Sequence, residues 1–352
     1  MNKIRFGIIG GGMIGPFHAE AISQLDDAEL IGVATTREKT AKLFAERFGV
    51  KAWYTDYHKL LQRDDIDVVN ICTPPFLHEE MTVAAAEVGK HVLVEKPIAV
   101  NLRETDRMIA ACEKAGVKLG VIFQSRFNRD VKRIKEAIDK GDFGKLVAGD
   151  AYVKWFRTQE YYDSAAWRGT WDKEGGGALI NQAIHTIDLL QWFMGEVDSL
   201  YAFIDTAIRK IEVEDVAVVA LRFKNGAMGV IEGSTAIYPG LQRKLEIHGQ
   251  KGTVIFEGDE IRLWDFVGQE KERKGGEKVR GFEDKKLGDT SSDPTHHSIE
   301  NHKLQIKDFV EAVREDREPL VNGSEGRKAL EIIRAIYKSA RAGRAVKFPV
   351  AE

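Results

Sequence analysis

Cysteine is scarce in this sequence, and long apolar runs are missing. Only Cys72 and Cys112 occur in 352 residues, so no disulfide framework is expected and a reducing compartment fits. The first residues do not follow the signal-peptide pattern of a basic start, an apolar run and a cleavage site of small residues. No apolar run approaches the length that spans a bilayer. We therefore predict a cytoplasmic protein with no membrane partner.

The charges of the sequence nearly cancel. Lys and Arg number 52, and Asp and Glu number 55, which gives a formal net charge of −3. Such a balance provides no general attraction to nucleic acid, so we expect no nucleic-acid partner. With 43% hydrophobic and 30% charged residues, the chain is long enough for two globular domains with separate cores.

The first third of the chain alternates between strand and helix patterns. Near-continuous apolar strands separated by helices are typical of a parallel sheet that is covered on both faces. This predicts a doubly wound α/β domain over residues 1–124, with strands at 4–9, 29–34, 67–71, 91–94 and 118–123 and helices from the turn after residue 9 to 25, at 37–48, at 75–88 and at 101–115.

The pattern changes after residue 124. A helix at 126–140 is followed by strand patterns, several of them joined by hairpin-length turns such as Lys224-Asn225-Gly226. We predict an α+β domain over 125–352 with a large, mostly antiparallel sheet and a C-terminal helix free to pack back on the first domain. Its predicted strands are 146–156, 199–208, 216–223, 228–236, 244–247 and 253–256; its charged, Gly-rich segment 268–295 is a predicted exposed loop or hairpin, and its last helices are 298–315 and 324–341.

A glycine-rich turn follows the first predicted strand. Gly10-Gly11-Gly12-Met13-Ile14-Gly15 fits the pattern G-x-G-x-x-G at the opening of a helix. Glycine permits the tight turn and lets a pyrophosphate approach backbone N–H groups at a helix N-terminus. The alternative is a Gly-rich turn without a ligand. We predict that a dinucleotide binds at Gly10, Gly12, Met13, Ile14 and Gly15.

The end of the second strand bears on which dinucleotide binds. An NAD site usually has Asp or Glu about 20 residues beyond the fingerprint, where it holds the ribose 2′-OH. This chain has Thr35, Thr36 and Arg37 there, and two hydroxyls with a guanidinium suit a 2′-phosphate. Against this, Glu38 follows directly, and Thr36 could instead cap the next helix while Arg37 faces water. We predict NAD or NADP as the cofactor and favour NADP.

Two further strands end in short motifs at the carboxyl edge of the predicted sheet, where doubly wound folds bind ligands. Cys72-Thr73-Pro74-Pro75 follows one of them, and we expect Thr73 and Pro74 to line the nicotinamide ribose. His78, one turn further on, is expected at the surface or behind the site rather than as a catalyst.

The second of these motifs is Val94-Glu95-Lys96-Pro97. Lys96 there is unusual if it serves only solubility, because desolvation and neighbouring charge could suit it to proton transfer. The alternative is an exposed loop lysine.

The segment 179–192 combines a helical apolar pattern with a polar stripe. Asn181, His185 and Asp188 recur at i, i+4 and i+7, which places them on one face. Before this helix lies a Tyr- and Trp-rich stretch with Trp167 and Arg168, where aromatic rings suit sugar faces and Arg suits hydroxyl, carboxylate or phosphate. Each of these aromatic residues is equally compatible with an ordinary core position. Further candidates for contacts with nicotinamide or substrate are Gln124 and Arg126.

The motifs GIIGGGMIG, CTPP, VEKP and GGGALINQAIHTIDLLQW together resemble the glucose–fructose oxidoreductase / inositol dehydrogenase / MocA (Gfo/Idh/MocA) family, over essentially the whole chain. The resemblance implies an N-terminal Rossmann domain and a C-terminal domain whose open sheet often forms oligomer contacts, hence a homodimer or homotetramer. It also implies hydride transfer between NAD(P) and a carbinol carbon of a sugar, a sugar derivative or an inositol. Cofactor contacts are then expected to include Glu95 and Lys96, with a cis peptide bond before Pro97.

The resemblance implies that Lys96 and His185 are the catalytic acid/base pair. An imidazole suits removal of a hydroxyl proton near neutral pH, and a lysine ammonium stabilises a developing alkoxide. Many family members have aspartate at the position of Asn181, whose amide orients a hydroxyl but cannot take up its proton. We expect Asn181, Arg168, Trp167 and Gln124 to bind substrate.

Two other functions remain open. Branches of the family that act on nucleotide-linked sugars share the asparagine, so a nucleotide-sugar or amino-sugar dehydrogenase is the alternative enzyme. A non-catalytic NAD(P)-sensing regulator is the alternative from another class, although the presence of both Lys96 and His185 opposes it. His296, His297 and His302 do not form a recognised zinc arrangement, and we predict no metal.

Overall fold

The computed structural model describes residues 3–268 and 299–350 of the chain. The predicted loop at 268–295 lies, except for Gly268, outside the described residues. Contacts divide the chain into two compact units: unit 1 comprises Met1–Phe127, Asp172–Gly175 and Ser298–Leu330, and unit 2 comprises Asn128–Trp171, Gly176–His297 and Glu331–Glu352. Within the described ranges, no helix is both long enough and apolar enough to cross a membrane.

Unit 1 contains a sheet of six parallel strands in the order β3-β2-β1-β4-β5-β6. The order reverses between β1 and β4, as in a doubly wound fold. This confirms the parallel sheet predicted from the strand and helix alternation. The strands are β1 (Ile4–Ile9), β2 (Ala28–Ala34), β3 (Ala52–Tyr54), β4 (Val68–Ile71), β5 (His91–Val94) and β6 (Leu119–Val121).

Capping residues mark some of the helix ends in unit 1. The Asn101 side chain accepts the N–H of Glu104 at the start of α5, and α2 and α5 end at Gly49 and Gly116 in the left-handed conformation. Together they cover a core in which Phe6 and Ile8 are completely buried. The helices are α1 (Gly15–Ser23), α2 (Glu38–Phe48), α3 (Tyr57–Leu61), α4 (His78–Glu87) and α5 (Leu102–Ala115), with 3₁₀ turns at Pro75–Leu77 and Gln124–Phe127.

Unit 2 contains an eight-stranded sheet in the order β13-β12-β11-β7-β10-β9-β8-β14. Only the β7–β10 pair is parallel among its described pairings, which confirms a mostly antiparallel sheet. The strands are β7 (Leu146–Lys154), β8 (Val197–Asp205), β9 (Val216–Phe223), β10 (Met228–Ser234), β11 (Lys244–Gly249), β12 (Gly252–Glu257), β13 (Glu260–Phe266) and β14 (Val346–Lys347).

One face of this sheet is covered by helix and the other is open within unit 2. Along β9, buried residues alternate with exposed ones, as expected for a strand with one buried face. α8 (Ile184–Met194) packs on β7 and β11. The open face carries Phe203, Val218 and Met228, which are 67%, 48% and 55% exposed. The remaining helices of unit 2 are α6 (Arg129–Asp139) and α7 (Gln159–Asp163).

Two long helices precede the last strand, β14. α9 (Ile299–Glu315) packs against α1 and the 3₁₀ turn at Gln124–Phe127 in unit 1. α10 (Gly323–Ala342) contributes its first eight residues to unit 1 and the rest to unit 2. Both helices were predicted within two residues of their ends.

Several predicted elements differ from the structure. β3, α3, β13 and β14 were not predicted, and the helix predicted from residue 126 begins instead at Arg129, where the Asn128 side chain accepts two backbone N–H groups. The segment Ala178–Ala183, read as part of an α-helix, is a π-helix that leads into α8.

Candidate active site

The glycine fingerprint turn requires glycine for two steric reasons. Gly10 has φ +109°, and a Cβ added there would lie 2.5 Å from the carbonyl oxygen of Cys72. A Cβ added at Gly15 would lie 2.2 Å from the carbonyl oxygen of Gly10. Gly12, in contrast, is exposed and faces open space, with no atom within 4 Å of an added Cβ. The turn therefore leaves room beside its backbone at the start of α1, where a pyrophosphate fits.

The end of β2 lies beside the fingerprint turn. A Cβ added at Gly11 would lie 3.4 Å from the methyl carbon of Thr35, which is half-buried, whereas Thr36 and Arg37 are exposed. The N-cap residue of α2 is Arg37, without a side-chain capping bond, so the alternative that Thr36 caps this helix is wrong. Glu38 forms an ion pair with Lys42 at 2.7 Å.

The motifs that follow β4 and β5 leave the same edge of the sheet. Ile71 pairs with Val94, and the N–H of Glu95 donates to the carbonyl of Ile71 at 3.0 Å. Thr73 and Lys96 are both half-buried at this edge. The Lys96–Pro97 peptide bond is cis, which confirms the expectation from the family resemblance.

Glu95 joins this turn to the fingerprint helix. One of its carboxylate oxygens lies 2.8 Å from Nε2 of His18 in α1, and the other accepts the backbone N–H of Lys96 at 3.1 Å. Nδ1 of His18 lies 2.9 Å from the amide of Asn70 in β4. All three side chains are buried, so one network fixes the backbone of Lys96 relative to α1 and β4.

The network favours charged forms of His18 and Glu95. Burial alone lowers the pKa of His18, but the neighbouring Cys72 and Glu95 outweigh it and raise that pKa to about 10. Burial alone raises the pKa of Glu95, but the hydrogen bond and charge of His18 lower it to about 2. Asn70 Oδ1 has no hydrogen-bond partner among the described residues, and turning the amide over would pair it with an Nδ1–H of an imidazolium.

His302 of α9 belongs to the same buried region. His18, Glu95 and His302 each offer a ligand-type atom within 4.8 Å of the others. The 2.8 Å contact between His18 and Glu95 is a hydrogen-bond distance, so these two side chains satisfy each other without an ion. The absence of a metal stays a prediction, and His296 and His297 lie outside the described residues.

His78 is completely buried, which excludes the surface position, one of the two expected for it. Its Nδ1 lies 2.9 Å from the carbonyl oxygen of Pro97, and its Nε2 lies 2.9 Å from that of Thr73. The ring thus contacts both motif turns at once.

Gln124 and Arg126 behave differently although both follow β6. Oε1 of Gln124 is buried and lacks a hydrogen-bond partner among the described residues, which makes it suitable for a ligand that donates hydrogen bonds. The Arg126 guanidinium is buried and lies 2.8 Å from Glu325, so its charge is committed to the interior of unit 1.

In unit 2, Glu214 holds the glycine turn that precedes the π-helix. Its carboxylate accepts the N–H groups of Gly177 and Leu179 and the hydroxyl of Tyr337, at 3.0, 2.9 and 3.0 Å. A Cβ added at Gly176 would lie 2.0 Å from the Tyr337 hydroxyl, and one at Gly177 would lie 2.0 Å from the carbonyl oxygen of Glu214. Glycine is therefore required for the turn to approach these two residues.

Burial raises the pKa of Glu214 to about 7, even though the three hydrogen bonds act in the opposite direction. Burial and the charge of Glu214 raise the pKa of Tyr337 well above its ordinary value. Neither residue was found from the sequence. They lie far from the motif and follow no pattern that marks them.

The polar stripe of this helical segment divides by burial. Asn181 in the π-helix and His185 in α8 are half-buried, whereas Asp188 is only 1% exposed. The opposite side, with Ile180 and Ile184, is completely buried. Asn181 and His185 are thus the members of the stripe that a ligand can reach.

Tyr161 connects the other candidates of unit 2. Its hydroxyl accepts hydrogen bonds from Gln182 at 2.9 Å, from Asn181 at 3.4 Å and from Arg168. The guanidinium of Arg168 also lies 4.6 Å from the ring centroid of Trp167. Asn181 and Arg168 therefore meet at Tyr161, a member of the predicted Tyr- and Trp-rich stretch, and Trp167 joins them through Arg168.

The structure gathers the predicted residues into two groups. Unit 1 brings together the fingerprint turn, the end of β2 and the motif turns with Thr73, Pro74, Glu95 and Lys96 at one sheet edge. Unit 2 brings together Asn181, Arg168 and Trp167 at Tyr161, with His185 one helical turn from Asn181. A glycine fingerprint between β1 and α1 of a sheet in this strand order defines a dinucleotide-binding protein.

Two family models match the chain. Residues 4–123 match an oxidoreductase family with an NAD-binding Rossmann fold, and residues 131–255 match the GFO/IDH/MocA C-terminal domain. The chain belongs to the Gfo/Idh/MocA family of oxidoreductases, which confirms the resemblance of its motifs.

Individual relatives cover nearly the full length. Myo-inositol 2-dehydrogenase of Thermotoga maritima is 32% identical over 349 residues, 98% of each chain. The WlbA dehydrogenase of Bordetella pertussis, solved with NADH and UDP-GlcNAcA, is 35% identical with a TM-score of 0.87, covering 99% of this chain and 100% of that one. A levoglucosan dehydrogenase solved with NADH and L-sorbose is 26% identical with a TM-score of 0.87 over 100% of both chains.

Proposed function

We propose that this protein is an NAD(P)-dependent dehydrogenase or reductase that transfers a hydride between nicotinamide and a carbinol carbon of a sugar, a sugar derivative or an inositol. Lys96 and His185 act as its acid/base pair. The observation that carries the proposal is the position of Lys96, half-buried at the sheet edge where β4 and β5 end and tied through Glu95 to the fingerprint helix.

A bound dinucleotide would supply the hydride acceptor or donor. The chain would hold it with the open fingerprint turn at Gly10, Gly12, Met13, Ile14 and Gly15, with the end of β2, and with Thr73, Pro74 and Gln124. Lys96 then presents an ammonium group to the reacting oxygen, where it stabilises an alkoxide. His185 accepts the hydroxyl proton during oxidation and returns it during reduction, since an imidazole titrates near neutral pH.

A sugar or inositol substrate is supported by the surroundings of Tyr161. The indole of Trp167 offers an apolar face to a ring, while Asn181 and Arg168 offer hydrogen bonds to hydroxyl groups. Relatives named for myo-inositol and levoglucosan support the same chemical class.

A nucleotide-sugar or amino-sugar dehydrogenase is the second candidate. Asn181 favours it, and so does the WlbA relative solved with UDP-GlcNAcA. The guanidinium groups of Arg157 and Arg168 lie 5.6 and 4.2 Å from the Tyr161 ring centroid, close to Asn181, and such groups suit carboxylate or phosphate.

NADP is the proposed preferred cofactor. Thr36 and Arg37 are exposed beside the fingerprint turn, and Glu38 has Lys42 as a charge partner. Against this proposal, the related structures contain NADH. Comparing kcat/KM for NAD and NADP, in wild type and in Arg37→Ala, tests it: a wild-type preference for NAD would overturn it.

The open face of the eight-stranded sheet is the proposed contact in a homodimer or homotetramer. Phe203, Val218 and Met228 give it exposed apolar side chains, beside the charged Arg222 and Glu232. Light scattering of the wild type and of Phe203→Asp tests this, and a monomeric wild type would contradict it.

A cytoplasmic location fits the two buried free thiols, Cys72 and Cys112.

The function itself is tested by screening myo-inositol, levoglucosan and UDP-GlcNAcA for NAD(P)-linked absorbance change. Turnover that falls by at least about 100-fold in Lys96→Ala and in His185→Ala, while dinucleotide binding persists in His185→Ala, supports the proposal. Dinucleotide binding without turnover of sugars, cyclitols or nucleotide sugars would instead favour a non-catalytic sensor.

A further inference from the structure

The ring of His78 lies between two carbonyl groups. Nδ1 is 2.9 Å from the oxygen of Pro97, and Nε2 is 2.9 Å from the oxygen of Thr73. A carbonyl oxygen only accepts hydrogen bonds, so each of these contacts requires an N–H from the ring. A neutral imidazole has one N–H and an imidazolium has two. Both contacts can be hydrogen bonds at the same time only when the ring is protonated, and a neutral ring can keep only one of them.

The two carbonyls belong to the two motif turns of unit 1. Thr73 follows β4, and Pro97 follows the neighbouring strand β5. Lys96 lies between Glu95, whose side chain is held by His18, and Pro97, whose carbonyl faces His78. The backbone on both sides of the lysine is thus attached to a buried histidine, one from α1 and one at the start of α4.

We propose that His78 is a positioning residue whose protonation decides whether the Thr73 turn and the Lys96–Pro97 turn are joined by hydrogen bonds through its ring. The imidazolium donates to the carbonyl oxygens of both turns, and the neutral ring donates to one. Because both turns lie at the dinucleotide edge of the sheet, the protonated form binds dinucleotide more tightly. The effect on dinucleotide affinity rests on the proposed function, whereas the hydrogen bonds from His78 to the two turns do not.

The surroundings of His78 act on its pKa in opposite directions. Burial lowers its pKa, while the backbone carbonyls of Thr73 and Pro97 and the carboxylate of Glu95 act in the opposite direction with a smaller effect. On α4 itself, Glu79 pairs with an arginine of α5, and Glu80 accepts the hydroxyl of a tyrosine of α3. Glu95 is therefore the carboxylate whose field acts on the ring.

The first measurement is nitrogen NMR of the histidine rings from pH 8 down to the lowest pH at which the protein stays folded, with the His78 signals assigned by their loss in His78→Gln. We expect two protonated ring nitrogens at the acid end and one proton-free nitrogen at the alkaline end. A His78 ring whose protonation does not change across this range would overturn the proposal. Because the wild type is observed, the result does not depend on the stability of the variant.

The second measurement is the affinity for NAD over the same pH range by titration calorimetry. NAD lacks the titrating 2′-phosphate of NADP. We expect wild-type affinity to fall about fivefold as His78 loses its proton, which corresponds to one hydrogen bond. His78→Gln, which keeps one donor and cannot titrate, should bind at every pH as the wild type does at pH 8.

A matched control is His91→Gln. His91 lies at the opposite end of β5, where its ring accepts the N–H of Lys118. The affinity of this variant for NAD should depend on pH as in the wild type. If the affinity of His78→Gln for NAD keeps the same dependence on pH, the proposal is overturned. Neither measurement needs turnover. Absence of sugar oxidation together with a pH-linked affinity for NAD would contradict the proposed function and leave the His78 proposal standing. An NAD affinity that does not change as His78 loses its proton would contradict the His78 proposal and leave the proposed function standing.

Discussion

The hydroxyl of Tyr337 donates to Glu214 across 3.0 Å, and the same carboxylate oxygen accepts the N–H of Leu179 in the π-helix. This relationship connects the C-terminal helix α10 to the turn that starts the segment with Asn181 and His185. π-Helical turns occur often at functional sites and need support from their surroundings. Glu214 and Tyr337 supply that support in unit 2.

Glu214 should make the stability of the protein depend on pH. Its pKa is raised from 4.5 to about 7, so its contribution to the free energy of unfolding is largest below pH 4.5 and is lost as pH rises through 7. In Glu214→Gln this dependence is absent. The free energy of unfolding of wild type relative to the variant should fall by about 3 kcal/mol between pH 5 and 8, measured by urea denaturation.

Tyr337→Phe is the control for this prediction. It keeps the carboxyl group and removes a donor that lowers the pKa of Glu214, so the pH dependence should persist and move to higher pH. If the free energy of unfolding of wild type relative to Glu214→Gln stays constant or rises from pH 5 to 8, the prediction is contradicted.

Replacing only one member of the buried pair His18–Glu95 should destabilise the protein strongly. Replacing both should cost less stability than the two single substitutions together. His18→Leu and Glu95→Leu should each destabilise the protein by about 3–5 kcal/mol, because each leaves the other charge buried without its partner. The double variant should lose less than the sum of the two. Denaturant titration of all four proteins measures this, and additive losses would show that the pair does not interact.

The same pair has its own pH window. His18 contributes fully below its ordinary pKa of 6.5 and loses its contribution as pH rises through about 10. Glu95 contributes fully above 4.5 and loses its contribution as pH falls through about 2. The free energy of unfolding of wild type, minus that of the double variant, should therefore be constant between pH 4.5 and 6.5 and smaller at pH 9. An advantage that grows toward pH 9 would be incompatible with a charged His18.

Substitutions in the glycine fingerprint should separate folding from binding. Gly12→Ala places a methyl group in open space, so its stability should stay within about 1 kcal/mol of wild type. Its dinucleotide affinity should fall by at least about tenfold, because the methyl group occupies the approach to the helix N-terminus.

Gly10→Ala is the counterpart of that variant. It forces a Cβ against the Cys72 carbonyl at positive φ and should destabilise the protein by about 3 kcal/mol or more. Thermal unfolding and calorimetric titration distinguish the two effects. Unchanged affinity in Gly12→Ala would place the pyrophosphate elsewhere.

Replacing Asn181 with aspartate should alter the pH profile of activity. Asn181 lies one helical turn before His185, and a carboxylate there favours the imidazolium. In Asn181→Asp, the acidic limb of kcat/KM for oxidation should move upward by about one pH unit. Asn181→Ala, which adds no charge, should lower kcat/KM without moving that limb. Identical limbs in wild type and Asn181→Asp would mean that His185 is not the titrating base.

The sequence predicted most of the regular elements because their periodic patterns are long. Near-continuous apolar segments marked β1, β4 and β5, and helical periodicity marked α5, α9 and α10 within one or two residues. β3 and β14 were missed because three and two residues are too few to show a period. The π-helix at Ala178–Ala183 was missed because its apolar pattern is also that of an α-helix.

The candidate site was predictable where a short motif carries it. The fingerprint, the Lys96 turn and the Asn181–His185 stripe are each local in sequence. Glu214 and Tyr337 are separated by 123 residues, and His18 and Glu95 by 77 residues, so only the folded chain shows that they meet. The orientation of His78 toward two carbonyls is likewise a tertiary property, since its position in the sequence fitted a surface residue equally well.

Thr36 and Arg37 have a different standing from these buried groups. Both are exposed, and neither side chain caps α2. Little of the folding free energy depends on them, whereas the proposed preference for NADP depends on this position. On this proposal, a few surface substitutions would change the cofactor preference while the buried network of His18, Asn70 and Glu95 stays intact. The choice between NAD and NADP could then be changed without a loss of stability.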